Sequence, residues 1–85
     1  MNAVKAIELD NTDPNKWETY GEALFGSGEY RKCIEAMNKS IELSDEKNTN
    51  THRWLKNAYH LRGESYMRIG KKAKGKQDLE KSNTL

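Results

Sequence analysis

Few side chains in this 85-residue chain are typed and spaced for chemistry: a lone cysteine, two histidines, a lysine-rich C-terminal run and a pair of glutamates. Cys33 has no second cysteine, so an internal disulfide and a thiol pair for metal or redox work are both excluded. Nothing near it in sequence is set to lower its pKa, and it reads as an inert buried thiol. His52 and His60 are eight residues apart, about two helical turns, too far to share one metal ion along a helix. They read as solvent-facing polar residues. Gly26 and Gly28 lack the preceding strand and the following Gly-Lys-Ser/Thr of a phosphate loop, so they serve a turn. With no convergent acid, base and nucleophile, the expectation is a non-enzyme without a metal or cofactor.

The lysine run Lys71, Lys72, Lys74, Lys76 and Lys81, with Arg62 and Arg68, could attract phosphate. A solvated helix face accounts for the same residues, and no motif for reading bases accompanies them. Nucleic acid is therefore disfavoured as a partner, with electrostatic binding of RNA or acidic partners through the last helix kept as an alternative. The net charge of +2 hides an asymmetry. Residues 1–44 hold five Lys/Arg against eight Asp/Glu, a balance of −3, and residues 45–85 hold ten against five, a balance of +5. One end is acidic and the other basic.

The elements that must carry these residues are short and amphipathic. The chain is 34% hydrophobic and 33% charged, polar for a folded domain, yet its apolar residues are periodic rather than scattered. At this length only about 60 to 65% of the chain's surface can be buried, so modest stability is expected. No apolar run approaches the roughly 18 residues of a membrane span, and the first ten residues lack the pattern of an export signal. The chain reads as a cytoplasmic protein that does not engage membranes.

Trp17, Tyr20, Gly21 and Leu24 share one helical face, and Gly28 breaks it. Asp13 before Pro14 is a helix start: the carboxylate caps the first free amides, and proline at the first position forfeits no hydrogen bond. The spacing predicts helices near 14–27 and 30–44, a solvated loop at 45–50, a long helix from Thr51 closed by Gly70, and a last helix over about 72–83 with Ala73 and Leu79 inward. Gly75 inside that last helix costs roughly 1 kcal/mol, so fraying is expected there. Residues 1–10 read as another helix, with Val4, Ile7, Ala3 and Ala6 as its buried stripe. Trp17, Tyr20, Tyr30, Tyr59 and Tyr66 fall on core-facing stripes; Trp54 either caps the core or stands exposed for a partner.

The chain repeats itself. Lys5-Ala6-Ile7-Glu8-Leu9 returns as Lys39-Ser40-Ile41-Glu42-Leu43 at an offset of 34, while Trp17, Gly21, Leu24, Gly28, Met37 and Ser40 return as Tyr59, Gly63, Tyr66, Gly70, Leu79 and Ser82 at an offset of 42. The second copy therefore carries eight extra residues between Leu43 and Tyr59, which lengthen its first helix. The order Trp, large residue plus Gly, large residue, Gly, aromatic, then Cys33, Met37, Ser40 and Ile41, resembles the tetratricopeptide repeat, a helix-turn-helix unit of about 34 residues. The resemblance implies an all-α fold, antiparallel hairpins stacked as a short right-handed α-solenoid. It divides the chain into a half repeat at 1–13, a full repeat at 14–44, the loop at 45–50 and a second full repeat at 51–83.

It also implies a non-catalytic protein–protein interaction module whose first helices line a groove for a peptide or a partner helix. The lining expected from the face opposite the core is Asn15, Glu18, Thr19, Glu22 and Phe25 in the first hairpin and Asn57, His60, Leu61, Glu64, Met67 and Arg68 in the second. A subgroup of the family grips the acidic carboxylate tails of chaperones with lysine, asparagine and arginine at these positions. Here Glu18 and Glu22 stand where that subgroup has its lysine and first asparagine, and Leu61 replaces the second asparagine, so a carboxylate ligand would meet like charge. The expected partner is a protein or peptide with basic and apolar side chains. Because two repeats leave apolar faces uncovered at both ends, a homo-oligomer is also expected, and a self-assembly unit is the other alternative function.

Overall fold

The computed structural model describes residues 12–85. The helix expected at 1–10, with its stripe of Ala3, Val4, Ala6 and Ile7, lies outside the described residues. Four α-helices and no strand are present among those described: α1 (Pro14–Gly26), α2 (Tyr30–Leu43), α3 (His52–Arg68) and α4 (Lys72–Asn83), with a short 3₁₀ turn, Thr49–Thr51, leading into α3. α1 packs on α2 and α3 on α4 as two hairpins, and α3 rests against both helices of the first hairpin.

Local chemistry explains the boundaries. Asp13 Oδ1 accepts the Asn15 amide at 2.9 Å, and Pro14 opens the helix. Both hairpin turns close by the same device. After α1 the Gly28 amide donates to the Phe25 carbonyl at 3.0 Å and the Glu29 amide to that of Leu24 at 2.9 Å; after α3 the Gly70 amide reaches Met67 at 3.2 Å and the Lys71 amide reaches Tyr66 at 2.8 Å. Such a closure needs a left-handed residue, and Gly28 (φ 79°) and Gly70 (φ 87°) supply it. The loop after α2 is exposed but internally bonded: Asp45 Oδ1 accepts the Lys47 amide, Asn48 Oδ1 the Asn50 amide, and Thr51 Oγ1 donates to the Asp45 and Asn48 carbonyls.

Leu24, Cys33, Ala36, Met37, Ala58 and Leu61 form the core, flanked by half-buried Trp17, Tyr20, Phe25 and Ile41. Trp54 is half-buried and donates from Nε1 to Ser44 Oγ at 2.8 Å, pinning the start of α3 to the end of α2. It caps the structure.

The second hairpin is built differently from the expectation. Ala73 is exposed and Leu79 half-buried; the residues that α4 buries are Gly75, Asp78 and Ser82. Gly75 is a contact residue rather than a weak point, because a Cβ there would stand 2.8 Å from the Gly63 carbonyl oxygen, and one on Gly63 would stand 2.9 Å from that of Gly75. The two backbones touch, which only paired glycines allow. Asp78 is buried against Arg62, whose Nε and Nη2 each approach a carboxylate oxygen at 2.7 Å, while Nη1 donates to Asn38 Oδ1 at 3.0 Å. Burial weakens the Arg62 charge, but the bonds to Asp78 outweigh it and hold the guanidinium's pKa above its usual value. The last helix differs from its counterpart in the first hairpin too. Where α2 carries Ile34, Asn38 and Ile41, α4 carries Lys76, Glu80 and Asn83, all exposed, so the apolar end face expected on the last helix is not formed by these residues.

Candidate functional site

The first helices of the two hairpins, α1 and α3, lie side by side, and the surface they share is where the inner groove is expected. At its centre Asn57 of α3 reaches across to α1: its Nδ2 donates to Glu18 Oε2 at 2.6 Å and to Glu22 Oε2 at 3.1 Å. Helical spacing places the two carboxylates on one face of α1, and the stacking of α3 brings one amide between them. Glu18 is buried, 8% exposed, and Glu22 is exposed. Burial raises the Glu18 pKa above its ordinary value; the Asn57 bond opposes the rise, and the neighbouring Glu22 carboxylate adds to it. Among the described residues the donor to this pair is a neutral amide, not a lysine or arginine.

A second cluster ties the hairpin turns together. Phe25 meets Tyr30 edge-on at 5.4 Å, and the Arg68 guanidinium lies over the Tyr30 ring at 5.6 Å, with Nη1 3.4 Å from the phenol oxygen. Phe25 and Arg68 thus share a neighbour that the stripe pattern assigns to the core alone. Tyr30 opens α2 one residue past the turn, and that adjacency to Arg68 follows from the stacking of hairpins, not from its own helix face.

The remaining expected residues are dispersed. Leu61 is a correction: it sits in the core cluster, 9% exposed, because it shares one helical face with buried Ala58, three residues before it, and buried Ser65, four after. Met67 is 38% exposed, yet its Cγ and Sδ cover Gly75, so its inner side belongs to the α3–α4 crossing. Asn15 and Thr19 are joined to each other, the Thr19 hydroxyl donating to the Asn15 carbonyl at 3.0 Å. Glu64 is half-buried, and exposed His60 lines a concavity with Arg53, Lys56, Asn57, Ser82 and Asn83.

The basic run is partly engaged. Arg62 belongs to Asp78, Lys81 pairs with Glu46 at 2.8 Å, and Lys74 lies over the Tyr66 ring at 5.7 Å. Cys33 is fully buried and burial raises its pKa, against a smaller opposing effect of the Ser65 hydroxyl. No group of three His, Cys, Asp or Glu that could hold a metal comes together among the described residues, and none of their helices is long and apolar enough to cross a membrane.

No curated protein matches the chain. The family model of the tetratricopeptide repeat matches it twice, over residues 17–47 and 57–85, so each match holds one hairpin and the gap between them holds the inserted start of α3. Repeats of this kind generally mediate protein–protein interaction and are typically non-catalytic. Two hairpins, two matches and one shared turn geometry agree: the chain belongs to the tetratricopeptide repeat family.

Proposed function

We propose that the inner surface between α1 and α3 receives a peptide or helix of a partner protein that presents basic and apolar side chains. The observation that supports this most is the shared amide of Asn57, which leaves a carboxylate pair with neutral company at the junction of the two hairpins. A partner's ammonium or guanidinium would add charge-assisted bonds there. An exposed ion pair is typically worth about 0.2–1 kcal/mol, so the half-buried Phe25 and the outer side of Met67 supply most of the affinity and Glu22 the discrimination. Glu18 and Asn57 form the floor of the site.

A peptide array spanning basic-amphipathic and acidic sequences tests the reading. Glu22→Lys sits on an exposed residue and should weaken basic-amphipathic peptides by up to about fivefold, as a pair of that strength implies. Phe25→Ala with Met67→Ala should weaken every bound peptide. Enrichment of acidic tails, or indifference to both variants, would sink it.

A further inference from the structure

The two hairpin turns meet along one edge of the molecule. A shallow recess between them is lined by Gly28, Glu29, Tyr30, Arg31 and Lys32 of the first turn and by Ile69 of the second. Arg68 joins the turns, its guanidinium 5.6 Å over the Tyr30 ring. The recess has a volume of about 340 Å³, at the lower end of the roughly 300–1,000 Å³ usual for ligand pockets, so it suits a side chain or two of a peptide. Half-buried Tyr30 and Ile69 give it an apolar floor, which the aliphatic stems of Arg31 and Lys32 extend. Charge concentrates here as well. Residues 28–32 and 68–74 hold six Lys/Arg against Glu29 alone, a balance of +5 in a chain whose total is +2. Glu29 is already matched, its Oε1 lying 3.3 Å from Lys32 Nζ. Arg31, Lys71 and Lys72 are exposed, and their side chains have no hydrogen bond, ion pair or ring contact among the described residues.

We propose that this turn edge docks an acidic peptide segment of a partner protein, with one apolar side chain seated on Tyr30 and Ile69 and carboxylates reaching Arg31, Lys71 and Lys72. Carboxylates there make the charge-assisted bonds that the chain itself leaves unmade. The apolar floor separates this ligand from other polyanions. Nucleic acid binds such edges by stacking bases on open rings. Here Tyr30 is half-buried with Phe25 at its edge and Arg68 over its face, and Tyr66 carries Lys74 at 5.7 Å. A bilayer surface would meet the lysines but leave the recess empty, and the exposed large apolar side chains among the described residues, Leu43 and Met67, do not line it. A peptide supplies both kinds of group within a few residues of one another. None of the six lining residues belongs to the inner surface between α1 and α3, and the charge is opposite, so the two readings are independent.

The probe is a fluorescein-labelled short peptide of Asp and Glu with one central Leu, titrated by anisotropy and by amide chemical-shift mapping. Its comparators are the same peptide with Ala for Leu, an oligouridylate of the same length and phosphatidylserine vesicles. The Leu peptide should bind, weaken as salt rises, and shift the amides of Tyr30, Arg31, Ile69 and Lys71. Arg31→Glu with Lys71→Glu should reduce its affinity by about tenfold through like-charge contact, and Arg31→Gln with Lys71→Gln by less. Arg53→Glu with Lys56→Glu makes the same change of net charge about 20 Å or more along α3 from Ile69. It should leave binding within about twofold of the parent, since exposed charges beyond a Debye length are screened. Ile69→Ala should erase the preference for the Leu peptide over the Ala peptide while leaving the salt dependence in place. Absence of binding, an equal loss from the Arg53/Lys56 variant, shifts centred away from the two turns, or tighter binding of the oligouridylate or the vesicles would overturn the assignment.

Discussion

Asn57 and Glu18 lie 39 residues apart in sequence and 2.6 Å apart in space, and theirs is the shortest polar contact between the two hairpins. One neutral amide thereby holds a buried carboxylate at the junction of the repeats. Glu18 has a folded pKa above its ordinary value of 4.5, so the folded state holds that proton more tightly than the unfolded one. Its contribution to stability is complete below about pH 4.5 and is lost as the pH rises through the folded value.

Glu18→Gln should therefore raise thermal stability at pH 7 and lose that advantage at pH 4, where the parent side chain is neutral as well. Asn57→Ala should do the reverse, costing about 1–3 kcal/mol at pH 7 by leaving a buried carboxylate without its donor. Thermal melts of both variants across this range check the signs, with exposed Glu22→Gln expected within about 0.5 kcal/mol of the parent.

Two glycine substitutions should move in opposite directions. Gly26→Ala adds a Cβ with nothing within 4 Å and should stabilise, by at most about 1 kcal/mol from helix propensity. Gly75→Ala gains the same propensity but places its Cβ 2.8 Å from the Gly63 carbonyl oxygen, so the hairpin must open. Overpacking of this kind typically costs about 1–3 kcal/mol, and a net loss is expected in urea unfolding.

How much of this was legible in the sequence depends on whether a feature belongs to one helix or to a pair. The repeat offset, Asp13-Pro14 and the turn glycines are local signals, and helices appear where they placed them. Leu61 and Glu18 show where a single-helix reading stops: each can be assigned to a face, but whether that face meets solvent depends on how far α3 slides over α1. Ala73 failed for a related reason. Apolar type suggested an inward position, whereas α4 buries glycine, aspartate and serine because its partner surface offers a carbonyl and a guanidinium. The sixteen-residue separation of Arg62 and Asp78 across the Gly70 turn was a usable signal, masked by reading Arg62 with the lysines.

That pair supports a third prediction. Arg62 and Asp78 side chains are 19% and 9% exposed, so removing one leaves a poorly solvated charge behind. Arg62→Ala should cost about 3–5 kcal/mol, while Arg62→Met with Asp78→Leu should recover most of it. Chemical denaturation of the single and double variants gives the comparison directly.

Cys33 supplies a fourth. Its buried thiol with a raised pKa should resist Ellman's reagent at pH 8 in the native protein and react at the rate of unfolding. Rapid stoichiometric labelling of native protein would contradict the placement of Cys33 in the core.

Arg62 also decides how the chain comes apart. Stacked repeats can in principle unravel from an end, each hairpin opening without the next. Here one guanidinium is bonded to Asp78 in the second hairpin and to Asn38 in the first, so peeling α4 away strips a charge of its counterion at the seam between the repeats. Amide hydrogen exchange should consequently report one opening free energy for the cores of both hairpins rather than a gradient falling towards the C-terminus.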